Sequence, residues 1–271
     1  MPLTKMRVEW SSPSLKELVI KHLVIPDVQF RDGDDPSFLT AIGNYVVAKQ
    51  PDRIICIGDF ADMPSLSSYD VGTKAFEGRR YTADIAAAKE GMAALHQPLE
   101  DYNAKQRKNG KKQYWPDEDF LLGNHENRIN RAINADAKLE GVLSIKDLDY
   151  ERYWRVHPFL DVVVLDGVAY SHYFVTGVAG RPASTAAAQF RKTNMSCVAG
   201  HQQGLQIHTG SRADGARLTS VIAGSCYEHN EDYLGPQGNK HWRGILVLHD
   251  VQDGEFDLMP VSLKFLKDRY L

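Results

Sequence analysis

The sequence predicts an α/β protein of one domain, built from two packed sheets with parallel strands in at least one of them. Three observations lead there. Apolar runs at residues 18–25 and 53–57 flank a stretch with helical apolar spacing, the pattern of a βαβ unit with its right-handed crossover. Further apolar runs at residues 120–122, 162–165, 168–170 and 197–199 are each short enough to be a strand. Beyond Leu205 the chain breaks into short strand-like segments, so the last third is β-rich.

Residues 1–18 are polar and predict an irregular arm or an edge strand. The first strand, at residues 18–25, is apolar apart from Lys21 and His22 and stops at Pro26-Asp27. Val28, Gln29 and Phe30 open a loop, and a helix starts near Pro36 with Phe38, Leu39, Ile42, Tyr45, Val46 and Val47 at helical spacing. The strand at 53–57 ends at Gly58-Asp59, and residues 60–81 read as a long loop. Residues 82–105 predict a helix capped by Thr82, rich in alanine, with Pro98 marking a kink or break. The basic turn at residues 105–112 (Lys105, Arg107, Lys108, Lys111 and Lys112) is either a solvated loop or a patch that tracks phosphates.

The strand Phe120-Leu121-Leu122 leads through Gly123 into Asn124-His125-Glu126-Asn127-Arg128, and residues 129–142 predict a helix. The aromatics Tyr150, Tyr153, Trp154 and Phe159 read as core packing. Asp166-Gly167 turns a hairpin that ends at Ser171-His172. A short helix is expected at 182–192, then a strand from Cys197 that runs into Gly200-His201. Strands follow at 205–208, 220–223 and 244–249, the last pairing with 255–260 across Asp253-Gly254.

Bulk properties exclude some classes. With 32 basic and 35 acidic residues the net charge is −3, so no global field draws the chain to nucleic acid or an anionic membrane. Cys56, Cys197 and Cys226 show no paired spacing, which predicts reduced, buried thiols and a cytoplasmic setting. Neither a secretion leader within the first 14 residues nor an apolar run of about 18 residues is evident, so no membrane association is expected.

Five apolar runs end in the same kind of residue: Asp27, Gly58-Asp59, Gly123-Asn124-His125, His172 and Gly200-His201. Ligands bind at the carboxyl ends of parallel strands, so these side chains can converge. Their oxygen and nitrogen atoms suit Mn²⁺, Mg²⁺, Fe²⁺ or Zn²⁺, and the lack of a thiolate argues against a structural zinc site.

The order Asp-x-Gln, Gly-Asp-x-x-Asp, Gly-Asn-His-Glu, His, Gly-His-x-Gln resembles the calcineurin-like metallophosphoesterase superfamily over residues 23–203. The resemblance implies a four-layer α/β/β/α sandwich with an insertion at about residues 60–122 and a metal site at the strand carboxyl ends. It implies that Asp59 bridges two divalent ions, manganese foremost. Asn124, His172 and His201 would complete one site, and Asp27 with Gln29 and Gln203 the other. The family has histidine at both glutamine positions. Glutamine is a harder, weaker ligand, so that site either holds Mn²⁺ or Mg²⁺ loosely or is empty. An empty site leaves a one-metal protein or a non-catalytic interaction module on the same fold. His208 is a more remote substitute ligand.

The implied activity is hydrolysis of a phosphate ester by a metal-activated hydroxide, with phosphatase, phosphodiesterase and nuclease unseparated. By resemblance His125 contacts phosphate and protonates the leaving group. Asp62 orients His125, as in the related Ser/Thr phosphatases, or only stabilises its loop. Those phosphatases carry a phosphate-binding arginine after that aspartate, where this chain has Met63. Arg128, beside Asn124 at the substrate, either replaces it or pairs with Glu126. A nucleic-acid substrate would use residues 105–112 and the insertion as a wall.

Overall fold

The computed structural model describes residues 19–271 apart from Asp70, Asp232 and Tyr233, and among these described residues it has thirteen strands and six α-helices. The arm expected at residues 1–18 lies outside the described residues. The strands are β1 (Ile20–Ile25), β2 (Arg53–Cys56), β3 (Asp117–Leu121), β4 (Arg155–His157), β5 (Val163–Leu165), β6 (Val168–Ser171), β7 (Val175–Thr176), β8 (Arg181–Pro182), β9 (Cys197–Ala199), β10 (Leu205–Ser211), β11 (Arg217–Ala223), β12 (Gly244–Gln252) and β13 (Glu255–Ser262). The helices are α1 (Ser37–Lys49), α2 (Tyr81–Lys108), α3 (Arg128–Ala135), α4 (Ala186–Thr193), α5 (Gly235–Gly238) and α6 (Leu263–Tyr270).

One sheet has the order β13-β12-β1-β2-β3-β4 and the other β10-β11-β9-β6-β5. Both are mixed. β1, β2, β3 and β4 are parallel neighbours in the first, as are β6, β9 and β11 in the second. Neighbouring residues of β1 and β2 take opposite sides. Leu23, Ile25, Ile54 and Cys56 pack with Leu39 and Ile42 of α1 and with Met92 of α2. Val24 and Ile55 pack with Val168, Tyr170, Val198 and Val221 of the second sheet. A strand covered on both faces is apolar throughout, which is why these runs show no alternation. The chain is thus mixed α/β, with two multi-stranded mixed sheets and their helices packed as an α/β sandwich.

Several boundaries differ from the sequence reading. The helix at 82–105 starts at Tyr81 with no side-chain cap and runs unbroken past Pro98 to Lys108. Gly43 on α1 permits this: a Cβ there would stand 2.3 Å from the Leu95 carbonyl oxygen and 2.9 Å from the Pro98 ring. The close helix packing supports α2 where proline removes a hydrogen bond. Lys105, Arg107 and Lys108 therefore form the last helical turn rather than a loop, where positive charge suits the helix dipole. Within the segment at 60–122, α2 supplies Ala87, Ala88, Met92 and Leu95 to the core.

The helix expected at 129–142 stops at Ala135, because Asp136 leaves the helical backbone and caps a 3-10 turn by accepting from Lys138 N. The helix expected at 182–192 begins only at Ala186, capped by Thr185, while Arg181–Pro182 pairs with Val175–Thr176. β4 and α6 had no prediction. The Asp166-Gly167 and Asp253-Gly254 hairpins form as expected, with all four residues at positive φ. The cysteines are free and buried, and among the described residues no helix is long and apolar enough to cross a membrane.

Gly43→Ala should force α1 and α2 apart. We expect a loss of about 1–3 kcal/mol, read as a lower urea midpoint with an unchanged m-value.

Candidate metal centre and active site

Each strand end delivers one piece of the site, and close backbone approach dictates the residues beside it. Asp27 follows β1, pairs with Ser225, and accepts from Cys226 N through its carbonyl at 2.7 Å. Asp59 follows β2, and its carbonyl accepts from Val28 N at 3.0 Å and from Gln29 N at 2.8 Å. Between β2 and β3 there is no room for side chains: a Cβ on Gly58 would meet Gly123 N at 2.5 Å, and one on Gly123 would meet Asp59 Oδ1 at 2.1 Å. Gly200 lies against Asp27 in the same way, with a Cβ position 2.4 Å from Oδ1. Gln29, Asp59, Met63 and His201 all hold φ between 46° and 67°, a left-handed backbone that non-glycine residues seldom adopt.

Glu126 ties these loops together. Its buried carboxylate accepts from Asp59 N at 2.9 Å, Gly123 N at 2.9 Å and Ala61 N at 3.0 Å. Asp59 Oδ1 in turn accepts from His125 N at 2.8 Å.

Asp59, His172 and His201 present ligand atoms that all lie within 4.8 Å of one another. His172 Nδ1 donates to the Ile57 carbonyl at 2.8 Å, which aims Nε2 at Asn124 Oδ1, 2.9 Å away, and at Asp59 Oδ2, 3.4 Å away. His201 Nδ1 lies 2.7 Å from the same Asn124 oxygen. Burial opposes charge on His172, but the Asp59 carboxylate outweighs it and pushes the pKa up to about 9. Burial and the charge of His172 push His201 down to about 4. The two histidines are thus driven in opposite directions, His172 toward its charged form beside Asp59 and His201 toward its neutral, ligand-competent form.

On the other side, Asp27 Oδ1 accepts from His201 N at 3.0 Å, while Oδ2 is buried without a hydrogen-bond partner. Gln203 Oε1 is another buried acceptor without a partner. Burial, with the Asp59 carboxylate beside it, pushes the Asp27 pKa up to about 7. Unsatisfied buried acceptors demand an explanation, and carboxylate and amide oxygens are the ligand atoms that suit a hard divalent cation. Gln29 is buried nearby, held by its main-chain bond to Asp59. The donor set therefore fits the group that the sequence implied, although Asp27 stands outside the Asp59–His172–His201 group. His208 is not part of it, since its ring packs against Phe190 of α4 at 5.0 Å.

His125 Nδ1 lies 3.0 Å from Asp62 Oδ1, an ion-pair contact without hydrogen-bond alignment. Burial opposes charge on His125, but Asp59 and Asp62 outweigh it and raise its pKa. Arg128 makes three contacts: Nη1 donates to the carbonyls of Asp62 at 2.7 Å and Met63 at 3.2 Å, and Nη2 lies 3.0 Å from His125 Nε2. Its expected alternative partner, Glu126, is occupied by backbone N–H groups instead.

Two neighbours escaped the sequence reading. Arg31 Nη1 lies 3.9 Å from Asp62 Oδ2, and the Tyr173 ring sits 4.8 Å from that of His201. Both follow a strand-end ligand closely, Arg31 four positions after Asp27 and Tyr173 directly after His172, and that proximity was the available signal.

No protein-family model matches the chain, and no curated protein matches it. A solved structure that aligns with 90% of this chain and 100% of its own is 11% identical, with a TM-score of 0.40, too slight a likeness to bear on fold or function.

Glu126→Gln keeps the shape but turns an amide N–H₂ toward at least one backbone donor. We expect a loss of about 2–3 kcal/mol in chemical denaturation, larger than a surface Glu→Gln change produces.

Proposed function

We propose that the chain is a cation-dependent phosphoesterase of the calcineurin-like metallophosphoesterase kind, a four-layer α/β/β/α sandwich with its metal site at the strand carboxyl ends. The observation that carries this reading is the convergence of Asp59, Asn124, His172 and His201, with Asp27 on the His201 main chain and its Oδ2 buried without a partner.

Asp59, Asn124, His172 and His201 would hold one divalent cation, and Asp27, Gln29 and Gln203 a second. When bound, such ions supply positive charge against phosphate oxygens and lower the pKa of water. The chain's own residues do the rest. In the resting arrangement His125 Nε2 accepts from Arg128, so the ring proton sits on Nδ1 toward Asp62. Asp59 and Asp62 favour the doubly protonated ring, in which Nε2–H can donate. His125 then gives that proton to the leaving-group oxygen as the ester bond breaks. Asp62 keeps the imidazole oriented throughout. Protonation of Nε2 also repels the Arg128 N–H, which frees that end of the guanidinium.

The glutamines favour one other reading: a binding module that retains a single cation and turns over nothing. Its mark is cation retention without hydrolysis.

With added Mn²⁺ the protein should hydrolyse a generic aryl phosphomonoester or phosphodiester. His125→Ala should lower kcat by about 10²–10⁴-fold with manganese content unchanged. Absence of turnover with every divalent cation between about pH 6 and 9 would exclude the proposal.

A further inference from the structure

Arg31 is a charged side chain at the rim of the site that the chemistry above leaves without a task. Its main chain is pinned beside Asp62. Phe30 N donates to Phe60 O at 2.8 Å, Asp62 N donates to Phe30 O at 3.0 Å, and Phe30 pairs with Ala61. A turn then sets its direction, with Asp34 N donating to Arg31 O at 3.1 Å and Arg31 N donating to Asp34 Oδ2 at 3.2 Å.

The guanidinium stands among three carboxylates, 3.8 Å from Asp34, 3.9 Å from Asp62 and 3.9 Å from Glu231. Each distance is beyond hydrogen-bond reach. Arg31 is therefore attracted to the rim but not locked into it, and its side chain is 32% exposed. Two of those carboxylates are themselves braced by His229, which lies 2.7 Å from Glu231 Oε1 and 3.4 Å from Asp34 Oδ2. The contrast with Arg128 is direct. Arg128 donates to two carbonyls and to His125, whereas the guanidinium of Arg31 makes no hydrogen bond to the described residues.

We propose that Arg31 is a substrate-binding residue that grips the anionic phosphate group. The proposal rests on the phosphoesterase reading above and adds the residue that selects for the anion. A guanidinium offers five N–H donors in a planar fork that matches phosphate oxygens. Asp62 is the common neighbour of Arg31 and His125, so the guanidinium and the imidazole flank one carboxylate, and a phosphate ester at His125 is within the compass of a long, unlocked arginine side chain. Met63 supplies no such donor, and Arg128 already commits Nη1 to two carbonyls and Nη2 to His125.

The test uses the manganese-loaded wild type, Arg31→Ala and Arg31→Lys. Each is titrated with inorganic phosphate by calorimetry, assayed with an aryl phosphate, and melted thermally. Arg31→Ala should raise the phosphate Kd and the KM by about 10–100-fold, with kcat moving less. Arg31→Lys keeps the charge among the three carboxylates but loses the fork, so its Kd should rise while its melting temperature holds. That variant carries the test if Arg31→Ala fails to fold. Unchanged Kd and KM in either folded variant overturn the proposal, as does a loaded wild type that binds no phosphate. Phosphate binding that depends on Arg31 in a protein without turnover sinks the phosphoesterase reading and leaves the anion site standing.

Discussion

A single buried carboxylate organises this site. Glu126 accepts three main-chain N–H groups, from Asp59, Ala61 and Gly123, and so clamps the loop after β2 to the loop after β3. Burying that charge is costly, and burial together with the nearby Asp59 raises its pKa. Charge-assisted hydrogen bonds to all three donors offset the cost. Because the loops are drawn so close, Gly58 and Gly123 leave no space for a Cβ, and Asp59 is held at a positive φ. From there Asp59 Oδ1 fixes the His125 main chain, and Asp59 Oδ2 faces His172.

The electrostatics follow from that clamp. Asp27 and Asp59 are both buried, and each disfavours the charge of the other. Asp59 is held ionised by His125 and His172 against its burial, while Asp27 is pushed toward its neutral form. Such a pair splits its proton affinities when no cation balances it. The raised pKa of His172 is the other face of the same deficit. A divalent cation would relieve both, and it would give the Asp27 oxygen that lacks a hydrogen-bond partner something to bind.

Much of the site was legible in the sequence because strands covered on both faces end abruptly. An apolar run followed by glycine and then a polar residue places that side chain at a sheet end, as at Asp59, Asn124 and His201. Glu126 was legible as a support, but two of its three partners, Asp59 N and Ala61 N, were not, since they come from another loop. The same limit hid Arg31, whose nearness to Asp62 depends on Phe30 pairing with Ala61. Pro98 misled because its local penalty is answered by Gly43 on a different helix. β4 was missed because Arg155 and His157 are polar, and α6 because only two of its residues, Leu263 and Leu266, are buried.

The central claim is that buried carboxylate, amide and imidazole groups are arranged to hold a divalent cation. The most direct measurement is metal content by mass spectrometry after incubation with Mn²⁺ and exhaustive dialysis, for the wild type and for His201→Ala. The account predicts about one to two equivalents in the wild type and a marked loss in His201→Ala, with both proteins folded. Near-zero occupancy in the folded wild type would contradict it.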